Sequence, residues 1–292
     1  MFKKGFYTAL GTPLNKKGDI VKKSLEMEIE SQISAGASGL LLMGTMGMQG
    51  CIKSSAYEDA VQIASNVIAG RISLLVGAMD NSLCRVTERL HILEKYAVDA
   101  AVLTPPFYFQ ISSASLTNFF EQAAAATKLN IFLYDHQQIT KHKITFGMTL
   151  KLSKLPNIVG IKSADFVLIK ALHDCQQLKK DFLPVFSASD LIAPAYQYGI
   201  DSYLDGIFSS MPKTIGKIQS YFIRGDFTDA CAALNSMMAA RDQMIEIGIW
   251  PAFSYAMNLL GFEGNFAPDY EIALSKQDEE KVRQCMLCLG EI

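Results

Sequence analysis

The sequence predicts a parallel (β/α)8 barrel, the TIM-barrel architecture, with a C-terminal helical extension. Three observations lead there. Eight short runs rich in β-branched and apolar residues recur along the chain, each followed by a stretch of 3.6-residue periodicity. The runs are apolar on both faces, as parallel strands covered by helices must be. The turn after the first run, Gly11-Thr12-Pro13-Leu14, lacks the Gly-rich fingerprint that a doubly wound open sheet carries there.

The expected strands are Phe6–Gly11, Gly39–Gly44, Ser73–Ala78, Ala100–Thr104, Asn130–Tyr134, Val159–Ser163, Leu183–Ser187 and Tyr203–Ile207. Between them lie amphipathic helices such as Ser54–Ile68 and Ser82–Tyr96. Ala35-Gly36-Ala37-Ser38, Ala97-Val98-Asp99 and Gly199-Ile200-Asp201 close helices before strands, with Gly suited to the left-handed end of a helix. Eight such units close a ring of ~250 residues. From about Gly225 the text is helical only, over Phe227–Ile247, Trp250–Leu260 and Lys276–Leu289. The expected division is a barrel at 1–224 and an extension at 225–292 packed on it, with no Pro/Ser/Gly-rich linker.

Composition narrows the function. With 292 residues, 50% of them apolar and a net charge of −2, the chain has a large core and is not disordered. The near-neutral balance, without a Lys/Arg block, argues against nucleic acid or an anionic membrane as partner. The opening MFKKGFYTALGTPLNKKGD has no long apolar run and reads as neither signal peptide nor anchor. Ile247–Phe262 is shorter than the ~20 residues of a membrane span and carries Pro251, Ser254, Asn258 and Gly261, so it is expected to be a buried helix. The expectation is a cytoplasmic protein acting on small molecules. The six cysteines, Cys51, Cys84, Cys175, Cys231, Cys285 and Cys288, show no paired rhythm and are expected to be buried thiols. Cys285 and Cys288 read as two small side chains on one helix face.

Barrel enzymes gather reactive groups at the C-terminal ends of their strands. Polar residues there are Thr8 and Thr12, Thr45, Tyr108, Tyr134 with Asp135 and His136, Lys162, Ser187 with Ser189 and Asp190, and Asp205. Lys162 ends the apolar strand Ile158-Val-Gly-Ile and shares a face with Gly160, which leaves room beside it. If that face is the barrel interior, desolvation lowers the amine's pKa from ~10.4 and prepares it to attack a carbonyl. The alternative is a lysine that snorkels to solvent or pairs with Asp135 or Asp190. Tyr134 ends the preceding strand, which puts its phenol beside Lys162 and in place to move protons. The Gly44-Thr45-Met46-Gly47 turn offers backbone N–H groups to a carboxylate and a hydroxyl to a proton relay.

Other chemistries lack their residues. His91 and His173 fall in helical stretches and His142 in a Lys-rich loop, so only His136 is a metal-ligand candidate at a strand end. There is no G-x-S-x-G elbow, and no Gly-rich phosphate turn follows strands seven and eight. No metal is expected.

These residues resemble the dihydrodipicolinate synthase/N-acetylneuraminate lyase family of class I aldolases. The likeness is carried by Thr8-Ala-Leu-x-Thr-Pro13, Gly44-Thr45-x-Gly47, Pro105-Pro-Phe-Tyr108, Leu133-Tyr134, Ile158-Val-Gly-Ile-Lys162, Ser187-x-x-Asp190 and Asn258-Leu-Leu-Gly261. It implies that Lys162 forms an imine with pyruvate or another 2-oxo acid. It further implies that Tyr134 exchanges protons, that Thr45 and Tyr108 complete a hydroxyl relay, and that Leu204 faces the bound oxo acid. Met46, Gly47, Gln137, Ser187, Asp190 and Asp205 are expected around the substrate. Family members form tetramers of tight dimers, with the tyrosine matching Tyr108 reaching across the interface, so a homodimer or homotetramer is implied.

The chain also departs from the family. Met46 replaces a hydroxyl residue and Met48 a glutamate, Asp135-His136-Gln137 stands for Asn-x-Pro, and Ile139 occupies the place of the arginine that holds the aldehyde's carboxylate. Leu191 replaces an acidic neighbour of Asp190, and Asp205 stands where a small polar residue is usual. An apolar Ile139 cannot make the bidentate contact a carboxylate prefers, which speaks against dihydrodipicolinate synthesis. Asp205 is expected to face Lys162 or a substrate hydroxyl, and pairing with Lys162 would keep the amine protonated. The reading is a Schiff-base aldolase or lyase that joins or splits a 2-oxo acid and an aldehyde without metal or organic cofactor. A 2-keto-3-deoxy sugar acid aldolase or dehydratase and an N-acetylneuraminate lyase-like enzyme are the enzyme alternatives. A degenerate binder of a small oxo acid is the non-enzyme one.

Overall fold

The computed structural model describes residues 2–292. Eight parallel strands, β1 (Gly5–Ala9), β2 (Gly39–Leu42), β3 (Ser73–Gly77), β4 (Ala100–Leu103), β5 (Asn130–Asp135), β6 (Ile158–Ser163), β7 (Leu183–Phe186) and β8 (Ser202–Asp205), pair in sequence order, and β8 returns to β1 to close the ring. Around them run α1 (Lys22–Ser34), α2 (Ser54–Ile68), α3 (Leu83–Leu93), α4 (Ser113–Ala125), the single turn α5 (Gln137–Thr140), α6 (Phe146–Leu152), α7 (Phe166–His173), α8 (Ile192–Gln197) and α9 (Pro212–Arg224). The extension is α10 (Phe227–Ile247), α11 (Ile249–Leu259) and α12 (Lys276–Leu289).

Strand alternation separates two cores. Tyr7, Leu41, Val102, Phe132, Val185 and Leu204 point inward and fill the ring. Phe6, Leu40, Leu74, Leu103, Ile161 and Phe186 point outward against the helices, in a cluster that continues into Leu234, Met237, Met244, Val282 and Met286 of the extension. Gly160 makes room in the ring for a ring: a Cβ on it would lie 2.2 Å from Phe132. The space expected beside Lys162 is thus taken one layer below, by Phe132. Helix ends follow their local chemistry. Ser112, Thr145, Asp165 and Ser275 cap α4, α6, α7 and α12 by accepting from backbone N–H groups, and Gly225 ends α9 at φ 80°.

The cysteines depart from expectation. None is buried: Cys51, Cys84 and Cys288 are exposed, and the other three are partly exposed. The outer core is instead filled by larger side chains, so the thiols fall on helix flanks and loops. No helix among the described residues is long and apolar enough to cross a membrane.

Of the buried acids, Glu28 has no cationic partner. Glu28 of α1 is fully buried and accepts from the Gly11 N–H at 2.8 Å and from the Ser209 hydroxyl, tying α1 to the loops after β1 and β8. Thr8 and Gln32 extend this network through a 2.9 Å bond, and Gln32 donates to the Ser209 carbonyl at 3.1 Å. Thr8 therefore faces α1 and not the mouth of the ring. Burial pushes the Glu28 carboxyl up to about 8, against the two donors that pull it down. The folded chain then holds a proton that the unfolded chain has released, so stability falls as pH rises from about 4.5 to about 8. Glu28→Gln is expected to remove a loss on the order of 5 kcal/mol across this window. Urea unfolding at its two ends checks this, and an unchanged slope in the variant would contradict it.

Candidate active site

The register of β5 and β6 sets Tyr134 directly opposite Lys162, and Asp135 opposite Ser163. Alternation then turns Tyr134 and Lys162 into the ring and Asp135 and Ser163 out of it. Lys162 is 7% exposed, and its Nζ stands 3.9 Å from the centroid of the Tyr134 ring. The Tyr134 hydroxyl lies 3.3 Å from Thr45 Oγ1. An amine, a phenol and a hydroxyl therefore follow one another along the wall of a cavity of about 320 Å3 at the C-terminal mouth of the barrel. Lys162 and Tyr134 are both buried, which strengthens charge and hydrogen-bond effects on any bound group.

The outward pair clamps this register. Asp135 accepts from Ser163 Oγ at 2.7 Å and from the Ile144 N–H at 3.0 Å, and it pairs with Lys143. Lys143 also reaches Asp165 at 2.8 Å. Each strand's last residue is thus tied to the other strand, one position beyond the inward pair.

The Thr45 loop is held by strain and close approach. Met43 and Met48 take φ of 55° and 53°, a left-handed conformation that costs an ordinary side chain on the order of 1 kcal/mol or more. Gly77 of β3 allows the turn, because a Cβ there would lie 1.9 Å from the Met43 carbonyl oxygen. Gly47 also packs on the Met43 backbone, where a Cβ would lie 3.0 Å away, and its carbonyl accepts from Thr12 Oγ1 at 2.6 Å.

His136 sits over the Tyr134 ring, with centroids 5.3 Å apart. Burial first and the Lys162 ammonium second push this imidazole down to about 4, outweighing Asp135 and Asp205. It is neutral at pH 7.

Of the expected site residues, Lys162, Tyr134, Thr45, Met46, Ser187 and Asp205 line the cavity. Asp205 does not pair with Lys162: its carboxylate is satisfied by Ser189 Oγ at 2.5 Å and the Ile207 N–H at 3.1 Å. Gly47, in the turn itself, and Leu204, whose side chain belongs to the inner core, are not among the residues lining the cavity. Gln137 points away, and its neighbour Gln138 lines the cavity instead. Asp190 is drawn off by a bidentate pair with Arg241 of α10, at 2.6 and 2.7 Å, which docks the extension on the loop after β7. Tyr108 is 78% exposed, on a loop whose Phe107 and Tyr108 N–H groups donate to Asn81 Oδ1 at 2.8 Å. It does not line the cavity that holds Tyr134. Ile249 and Trp250, at the start of α11, were not among the expected residues yet close the cavity from above. A wider hollow of about 820 Å3 lies between the 14–18 and 263–269 loops and contains no strand residue.

A closed eight-stranded barrel with lysine and tyrosine at its mouth defines the class: a barrel of the aldolase and lyase kind. The comparisons then fix the family. The chain matches the model of the dihydrodipicolinate synthetase family over residues 2–284 and belongs to that family. It is 27% identical over 236 residues to the 4-hydroxy-tetrahydrodipicolinate synthase of Exiguobacterium sibiricum, covering 80% of each chain. It is 25% identical over 287 residues to that of Acidiphilium cryptum, covering 98% of each. Among solved structures it superposes with a TM-score of 0.89 on YagE, an E. coli K12 prophage protein of this family in complex with pyruvate, at 17% identity and 99% coverage of both chains. With the dihydrodipicolinate synthase of Thermotoga maritima the TM-score is 0.90 at 20% identity, covering the whole of both chains.

Removing the clamp tests its weight. Asp135→Asn is expected to cost about 2–3 kcal/mol, because Lys143 loses its buried partner. Ser163→Ala should cost about 1 kcal/mol. Since both act on one network, the double variant should fall short of the sum in denaturant titration. Strict additivity would show that the two groups work apart.

Proposed function

We propose that this chain is a class I aldolase or lyase in which Lys162 condenses with pyruvate or a related 2-oxo acid. The observation that carries the reading is the buried Lys162 amine in contact with the Tyr134 phenol, whose hydroxyl in turn meets Thr45. The amine attacks the ketone carbon, the Tyr134 phenol protonates the oxygen that leaves as water, and the phenolate then takes a proton from the carbon next to the iminium, whose electron pair flows to nitrogen to give an enamine. Tyr134 carries protons to and from the ketone oxygen and the departing water, with Thr45 as the next station. Backbone N–H groups of the Gly44–Gly47 turn receive the substrate carboxylate. The enamine then adds to an aldehyde, or is released from one in the reverse direction. Lysine supplies the electron sink, so the reaction needs no metal or organic cofactor.

Ile139 at the wall beside His136 favours a reaction other than dihydrodipicolinate synthesis, because it offers no charge to a carboxylated aldehyde. Tyr108 would enter the relay only from a second copy, and its exposed ring beside Phe109 suits an interface of a homodimer or homotetramer. A cytoplasmic setting suits such chemistry.

Trapping tests the reading. Pyruvate with borohydride should add one reduced pyruvate to Lys162 by peptide mass spectrometry, and Lys162→Ala should add none. Tyr134→Phe should slow adduct formation by roughly 10²–10⁴-fold. A protein that binds pyruvate saturably but yields no adduct would be a binder instead.

A further inference from the structure

Beside the Lys162 cavity lies a second hollow of about 230 Å3, and Thr45, His136 and Trp250 belong to both. A molecule anchored at Lys162 therefore has a shared border to cross into it. Met48, Met79, Phe107 and Ile139 make its wall, and no Lys, Arg, Asp or Glu lines it. His136, the one imidazole there, is neutral at pH 7. A carboxylate would lose its water in this hollow without gaining a charged partner.

Two of the polar groups on its wall are left unpaired. The Gln49 side-chain nitrogen and the Thr104 hydroxyl are buried, at 5% and 6% residue exposure, and find no hydrogen-bond partner among the described residues. A buried donor left so costs about 1–3 kcal/mol, which a ligand oxygen would recover.

We propose that this hollow is the aldehyde subsite and that it selects a neutral, mostly apolar aldehyde carrying one hydrogen-bonding oxygen, a hydroxyaryl aldehyde being the type. The proposal rests on the Schiff-base reading of Lys162. The enamine carbon gives its electron pair to the aldehyde carbon, forming the C–C bond, while the aldehyde oxygen takes a proton from Tyr134. Water then hydrolyses the iminium, returning the Lys162 amine, restoring the Tyr134 proton and releasing a 4-hydroxy-2-oxo acid. Gln49 and Thr104 are specificity groups here, since they meet the ring oxygen and not the reacting atoms.

Trp250 is the only tryptophan in the chain, so its fluorescence reports the hollow without turnover. Titration of the full chain with 4-hydroxybenzyl alcohol, which cannot react with an amine, is expected to give a saturable change. The anion 4-hydroxybutyrate should bind at least 10-fold more weakly. Gln49→Leu should weaken the hydroxylated probe about 5–10-fold and leave plain benzyl alcohol unaffected. No saturable change, equal or tighter binding of the anion, or indifference of the hydroxylated probe to Gln49→Leu would each overturn the subsite. Borohydride trapping with pyruvate alone, on the same protein, separates the two readings. An adduct without probe binding removes the subsite only, whereas probe binding without an adduct removes the aldolase reading and the hollow's role with it.

Discussion

The pairing of Tyr134 with Lys162 across two neighbouring parallel strands is the contact that the rest of the site depends on. It follows from register: a one-residue slip between β5 and β6 would turn one of the two side chains into the helical layer. The irregular step between Ile131 and Phe132 sets the phase, Gly160 lets Phe132 fill the layer below, and the Asp135–Ser163 bond closes the pair from outside. Apolar packing beneath and a charged clamp beside it thus hold a lysine where water would otherwise draw it out.

The loops over the ring are fixed by polar contacts of longer reach. Glu28 and Gln32 bind the loops after β1 and β8 to one helix, and Thr12 holds the Gly47 carbonyl of the loop after β2. Thr45 is therefore presented by a loop anchored at both flanks. The left-handed Met43 and Met48 are tolerated because neighbouring backbone leaves them no other course.

The ring itself was legible in the sequence because eight apolar runs with helical spacers leave few other arrangements. Lys162, Tyr134 and Thr45 were legible for the same reason: each lies at or just past the C-terminal end of a strand, and those ends converge. What escaped depends on contacts distant in the chain. Asp190 looks like a site residue until Arg241, 51 positions away, is found holding it. Gln137 and Gln138 are equivalent in sequence, and only the single turn of α5 decides which one faces inward. Trp250 could have been suspected as the lone tryptophan opening an apolar helix, but nothing local says that this helix folds back over the ring. The thiols, read as buried from their scatter, lie outside because larger side chains fill the outer core.

Trp250 and Ile249 have a further consequence. Because the roof over the lysine comes from α11, a fragment ending at Arg224 would keep every strand and yet leave the chamber open to bulk solvent. Selectivity is consequently portable. Exchanging α10–α12 between relatives could change which molecules are admitted while the reacting amine and phenol stay untouched.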